Sequence, residues 1–125
     1  MTKWTSDELA TLDSTDELRI ESARGDGTLR DPVTIWVVRL GDEAYVRSVR
    51  GRSSSWFRGA QDRHEARITV DGVGRTVQLV ETDELADEID AAYRAKYERY
   101  AATIVNSVLS PEARSATFKV VSQPS

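Results

Sequence analysis

With 125 residues, the chain is long enough for one hydrophobic core and too short for two. Its 39% hydrophobic and 30% charged residues exclude a disordered tail, and a net charge of −4 disfavours generic binding to nucleic acid or anionic membrane. The absence of cysteine removes disulfides, thiol catalysis and thiolate metal sites.

Trp4-Thr5-Ser6-Asp7-Glu8-Leu9 predicts a helix start. Thr5 and Glu8 have capping-box spacing, and Trp4 and Leu9 sit where a hydrophobic staple would place them. That helix is expected to end near Leu12-Asp13. Leu18 to Ser22 alternates apolar and polar residues and predicts a strand, followed by a turn-rich loop from Arg24 to Asp31, with Pro32 opening the next strand. Val33 to Leu40 is β-branched and aromatic, Gly41-Asp42 breaks it, and Ala44 to Val49 resumes, which predicts a hairpin. The run Arg50-Gly51-Arg52-Ser53-Ser54-Ser55-Trp56-Phe57 then opens a helix capped by Ser54-Ser55 and reaching about Arg63. Ala66 to Val70 and Arg75 to Val80 form a second hairpin around Asp71-Gly72-Val73-Gly74.

Asp83 to Tyr100 predicts the longest helix, with acids in its first turn and a stripe of Leu85, Ile89, Ala92, Tyr93, Lys96, Tyr97 and Tyr100. Ala101 to Leu109 predicts a short helix stopped by Pro111, and Thr117 to Ser122 a last strand. Six strands, mostly in hairpins, favour a closed or half-closed antiparallel barrel in a single domain spanning residues 1–125. Met1 to Glu8 lacks the apolar centre of a signal peptide. The longest uncharged run, Ala101 to Pro111, is far short of the roughly 20 apolar residues that cross a bilayer. A cytoplasmic location without a membrane partner is the expectation.

Catalytic signals are few. His64, the sole histidine, stands in the polar run Asp62-Arg63-His64-Glu65 and reads as a solvated loop residue. A transition-metal site would have to be nearly all carboxylate, and the Glu81 to Glu88 acids read as a helix start instead, so no metal is expected. Ser53-Ser54-Ser55 lacks a nucleophile elbow and a partner base. The tyrosine stripe reads as packing, Trp36 as core, and Trp56 as either a first-turn anchor or a ring wall. Between Arg39 and Arg67, however, seven arginines stand against four acids, while both flanks are acidic. A hairpin that delivers arginines and hydroxyls to a helix N-terminus suits one small anion better than a polyanion, so no nucleic-acid partner is expected. Arg47, which shares a strand face with Tyr45 and Val49, is the sharpest candidate for a phosphate clamp that the fold could lose without collapse.

Four runs carry a resemblance: Pro32 to Arg39, Tyr45-Val46-Arg47-Ser48, Ser55-Trp56-Phe57-Arg58 and Ile89 to Tyr97. They resemble an uncharacterised bacterial domain family common in actinobacteria, over nearly the whole chain. Its order of elements is similar to that of the FMN-binding split barrel, in particular the deazaflavin-dependent nitroreductases. In those proteins a Gly-Arg-x-Ser-Gly-x-x-Arg loop precedes a strand, and a Trp begins the helix after the next hairpin. Arg24 to Arg30 is similar to the first feature, with Asp26 as a departure, and Ser55-Trp56-Phe57 is similar to the second.

The resemblance implies a mainly β fold, a six-stranded antiparallel split barrel with flanking helices. It also implies a homodimer with cofactor pockets between subunits, and a small oxidoreductase that binds FMN or a deazaflavin. On that reading Arg47, Ser48, Arg50 and the Ser54-Ser55 helix start hold phosphate, Trp56 packs beside the ring system, and Arg24 and Arg30 contribute from the first loop. No protein residue is named as catalytic, because the redox chemistry belongs to the cofactor. The alternative left open is a non-enzymatic split barrel that binds another anionic metabolite or serves as an interaction domain.

Overall fold

The alternating strands close on themselves because each has one apolar face to bury and no helix large enough to cover an open sheet. The computed structural model describes residues 4–24 and 26–122. In chain order the elements are α1 (Ser6–Ser14), β1 (Glu17–Ser22), β2 (Val33–Leu40), β3 (Glu43–Arg47), a 3₁₀ turn (Gly51–Ser53), α2 (Ser55–Arg63), β4 (Glu65–Val70), β5 (Val73–Glu81), α3 (Ala86–Lys96), α4 (Ala102–Ser107), α5 (Pro111–Arg114) and β6 (Thr117–Ser122). The six strands form a closed antiparallel barrel in the order β1-β2-β3-β6-β5-β4.

Strand alternation sorts the apolar residues into two cores. Ile20, Val37, Val46, Ile68, Leu79, Phe118 and Val120 fill the barrel interior, where Leu9 and Leu12 of α1 and Trp56 and Phe57 of α2 join them. The capping box of α1 forms as its spacing requires: Glu8 N–H donates to the Thr5 hydroxyl and Thr5 N–H donates to the Glu8 carboxylate. A second core lies outside the barrel wall, where Trp36, Val38, Leu40 and Tyr45 meet Ile89 and Tyr93 of α3, Tyr97 at its C-cap, and Val105 and Val108 further on. The tyrosine stripe is therefore packing, and Trp36 stacks flat on Tyr97, with ring centroids 3.9 Å apart.

Two helix boundaries differ from the sequence pattern. α3 begins at Ala86 rather than Asp83, since Leu85 turns the chain through a left-handed conformation with φ 60. It ends at Lys96 rather than Tyr100, where the tips of Lys96 and Tyr97 are drawn into the seam between β1 and β2. Pro111 starts α5 as well as following α4, with the Ser110 hydroxyl accepting from Ala113 N–H as its cap.

Both seams beside β2 are incomplete. β1 pairs with β2 only as far as Glu17 opposite Trp36. In place of the next rung, the Tyr97 hydroxyl bridges Val37 and the Asp16 carbonyl, and Lys96 Nζ donates to the carbonyls of Val37 and Leu12, at 2.7 and 2.8 Å. Burial lowers the Lys96 pKa to about 8 and raises that of Tyr97. On its other edge, β2 pairs with β3 only through Val37 to Leu40, so Val33 to Trp36 have no register partner in β3. Here the strands part.

Candidate functional site

The parting of β2 and β3 opens a cavity of 590 Å³, within the roughly 300–1,000 Å³ usual for small-molecule sites. One wall is the free half of β2, Val33 to Trp36, and the opposite wall is the end of β3 with the loop that leaves it, Arg47 to Arg50. Ser53, Ser54, Ser55 and Trp56 close one end, Ile104, Ser107 and Val108 cover the side, and Glu17 stands at the rim. The chain turns away after β3 because Ser48 N–H donates to the Ala116 carbonyl and Gly51 takes φ +73. At Gly51 a side chain would meet the Cβ of Glu112 at 3.2 Å, so glycine serves both the turn and the close approach.

Six of the residues expected from sequence, Arg47, Ser48, Arg50, Ser54, Ser55 and Trp56, therefore border one cavity, with distinct parts to play. Ser54 is the N-cap of α2, accepting from Phe57 N–H at 3.3 Å and from the Ser48 hydroxyl at 2.8 Å. Both interactions use lone pairs, which leaves the Ser54 hydroxyl proton available. Ser48 is buried and spends its own proton on Ser54, so it orients the cap. The first-turn N–H groups of Ser55 and Trp56 lie at the helix end where no carbonyl precedes them, at the positive pole of its dipole. Arg50 is exposed, and its guanidinium has no partner among the described residues. Trp56 is 5% exposed and packs on Phe57 and Phe118 at 6.1 and 6.0 Å, so it anchors the helix in the barrel while touching the cavity.

Arg47 is the main correction. It lines the cavity floor, but its guanidinium faces inward under α3, and the protein takes four of its five N–H donors. Nη1 pairs with Asp90 at 2.5 Å and donates to the Val108 carbonyl at 2.8 Å, Nη2 donates to the Ala86 carbonyl at 3.1 Å, and Nε donates to the Thr117 hydroxyl at 3.1 Å. The group also lies over the Tyr93 ring. A guanidinium so surrounded is a structural tie between the barrel and its helical cover, with no donor pair left to clamp a phosphate.

Arg24 and Arg30 do not reach the cavity. Arg24 donates to the Thr28 hydroxyl and the Leu29 carbonyl, closing its own loop, and Asp26 accepts from the N–H and hydroxyl of Thr28. The Thr28 hydroxyl holds the Asp26 carboxyl below its usual pKa. Arg30 packs along α2 at Gly59, where a Cβ would come within 2.5 Å of its Nε. His64 caps the far end of α2 in the left-handed region with φ 58 and is exposed. Sequence reasoning missed Glu17, Thr34, Ile35, Ile104 and Ser107 as cavity residues. Only the parting of two strands brings them in, and strand periodicity carries no sign of where two paired strands separate.

Among solved structures, the fold is shared with the heme storage protein HutZ from Vibrio cholerae, at 10% identity and a TM-score of 0.64, covering 93% of this chain and 87% of that one. An F420 reductase superposes with a TM-score of 0.52 at 15% identity, covering 93% of this chain and 91% of that one. The FAD and heme binding protein from Mycobacterium smegmatis does so at 0.55 with 17% identity, covering 97% of this chain and 67% of that one. At these identities the likeness shows the fold, a six-stranded antiparallel β-barrel with flanking helices. No curated protein matches the sequence. No helix among the described residues is long and apolar enough to cross a membrane. Residues 8–120 match the family described as "Uncharacterized protein conserved in bacteria (DUF2255)", and the chain belongs to that family.

Proposed function

We propose that this chain binds a flavin-type cofactor, FMN or a deazaflavin, in the cavity between β2 and β3 and acts as a small oxidoreductase. The observation that carries the reading is the polarity of that cavity. One end offers Arg50, the hydroxyls of Ser54 and Ser55 and the first turn of α2, a donor set matched to a phosphate. The remainder is walled by Val33, Ile35, Trp36, Ile104 and Val108, which suits a planar apolar ring. When bound, the cofactor supplies hydride chemistry at its ring, while these residues bind it, orient it and exclude water. Fold relatives include heme proteins, but the lining residues include no His, Cys, Met or Tyr to ligate an iron, which favours a flavin over a heme.

The rim residues Val49 and Ile104 are 49% and 48% exposed, and a second copy of the chain that covers the cavity mouth would bury them. The test is equilibrium binding of FMN and of a deazaflavin to the purified protein, followed by fluorescence quenching, with light scattering on the same samples. Saturable binding of either ligand by a dimer is the expected result. Protein that is colourless as purified and takes up neither ligand overturns the cofactor reading in favour of an interaction domain or a carrier of another anion.

A further inference from the structure

The free half of β2 has a chemical direction that the polarity of the cavity alone does not reveal. In an antiparallel ladder, successive residues send their N–H and C=O groups alternately to one neighbour and the other. The Val37 N–H and C=O face the β1 side, because Tyr97 and Lys96 meet them there beside the Asp16 carbonyl. Counting back, Ile35 and Val33 face β1 as well, opposite Leu18 and Ile20. The N–H and C=O of Thr34 therefore point the other way, where β3 supplies no register partner and the cavity begins. A backbone N–H and C=O that lack a strand partner and open into a cavity are placed to pair with a ligand.

We infer that the Thr34 backbone reads the lactam or imide edge of the bound heterocycle. The inference rests on the cofactor reading above and adds an orientation to it. One strand residue offers a donor and an acceptor side by side, and the matching unit is an adjacent carbonyl and N–H held in one plane. Flavins and deazaflavins carry that unit on their pyrimidine ring, and the porphyrin plane does not. Trp36, next but one on the same outward face of β2, walls the ring. The anionic tail then runs to Arg50 and the α2 first turn at the far end of the cavity. Peptide-like pairing on the same edge is the competing use, and the titration below separates it from ring binding.

The test is a titration of the full-length protein with FMN, N3-methyl-FMN and riboflavin, read by fluorescence, together with amide hydrogen exchange at Thr34. N3-methylation removes the imide donor and leaves the phosphate and the ring. The expected result is about tenfold or greater weakening for N3-methyl-FMN, the cost of leaving the Thr34 carbonyl unpaired beneath the ring. FMN is also expected to slow exchange of the Thr34 amide, with riboflavin weaker than FMN but equally protective at saturation. Equal affinity for FMN and its N3-methyl form, or FMN binding without protection at Thr34, overturns the edge assignment and leaves the cofactor reading standing. Failure of FMN, riboflavin and a deazaflavin alike to bind overturns both.

Discussion

Replacing Asp90 by Ala tests the tie beneath the cavity at its strongest point. The Arg47 side chain is wholly buried and Asp90 is its only anionic partner among the described residues. In Asp90→Ala the guanidinium keeps the carbonyls of Val108 and Ala86 and the Thr117 hydroxyl, but it must hold its charge out of water without a counter-charge. Breaking a buried pair from one side costs about 3–5 kcal/mol, a large fraction of a total stability of roughly 5–15 kcal/mol. For a chain of this length that corresponds to a fall in Tm of about 10–20 °C. Arg47→Met is expected to cost less, about 2–3 kcal/mol. Asp90 keeps Arg114 as a counter-charge at 3.4 Å, while the freed carbonyls lose one hydrogen bond each. The double variant Arg47→Met/Asp90→Leu should recover most of the loss, since well-packed apolar residues replace a buried pair at little cost. Urea unfolding of the four proteins measures the cycle. A cost below about 1 kcal/mol for Asp90→Ala, or single effects that simply add, would refute the account and return Arg47 to the pool of ligand-binding residues.

Three further outcomes follow from the same geometry. Tyr97→Phe should cost about 1–2 kcal/mol, because Val37 and Asp16 lose their bridge, whereas Tyr93→Phe should be nearly neutral, because its buried hydroxyl has no hydrogen-bond partner; thermal melts of the pair separate the two. Burial raises the pKa of both tyrosines above 10.0, so the folded chain keeps protons that the unfolded chain releases, and that stabilisation is lost as the pH rises past 10. Lys96 acts in the opposite sense: between pH 8 and 10.5 the unfolded chain binds the proton the folded one has released, so stability should rise there, and Lys96→Met should abolish the rise in urea midpoints measured against pH. Finally, Arg50→Ala should weaken FMN binding by about 1.5–3 kcal/mol without moving Tm, as a titration and a melt on one preparation would report.

The positions of strands and caps were legible because their signals are local. Thr5 and Glu8 stand three residues apart and satisfy each other, and Asp71-Gly72 sits at the tip of the β4–β5 hairpin as its composition requires. The Arg/Ser loop after β3 was likewise readable as a place where donors gather. What could not be read was where each arginine spends its charge. Arg47 is paired with a carboxylate 43 residues away and a carbonyl 61 residues away, so no spacing rule connects them. Arg50, three positions later in the same run, is left for solvent or ligand. Arg47 is the last residue of β3 and faces α3, whereas Arg50 lies in the exposed turn that follows the strand. Arg30 was drawn off in the same fashion, by a gap over Gly59 that exists only once α2 lies against β1.

The order of the staves has a consequence for how the molecule assembles. β6, Thr117–Ser122, sits between β3 and β5, so it closes the barrel on both sides at once. Trp4 also donates its indole N–H to the Val120 carbonyl, 116 residues along the chain. Until that strand arrives, β3 and β5 are the open edges of a sheet in the order β3-β2-β1-β4-β5, and the barrel is not closed. Such long-range closure places folding in the roughly millisecond-to-second class rather than the microsecond class of helical bundles. During synthesis the edges of β3 and β5 stay unpaired until the last strand emerges.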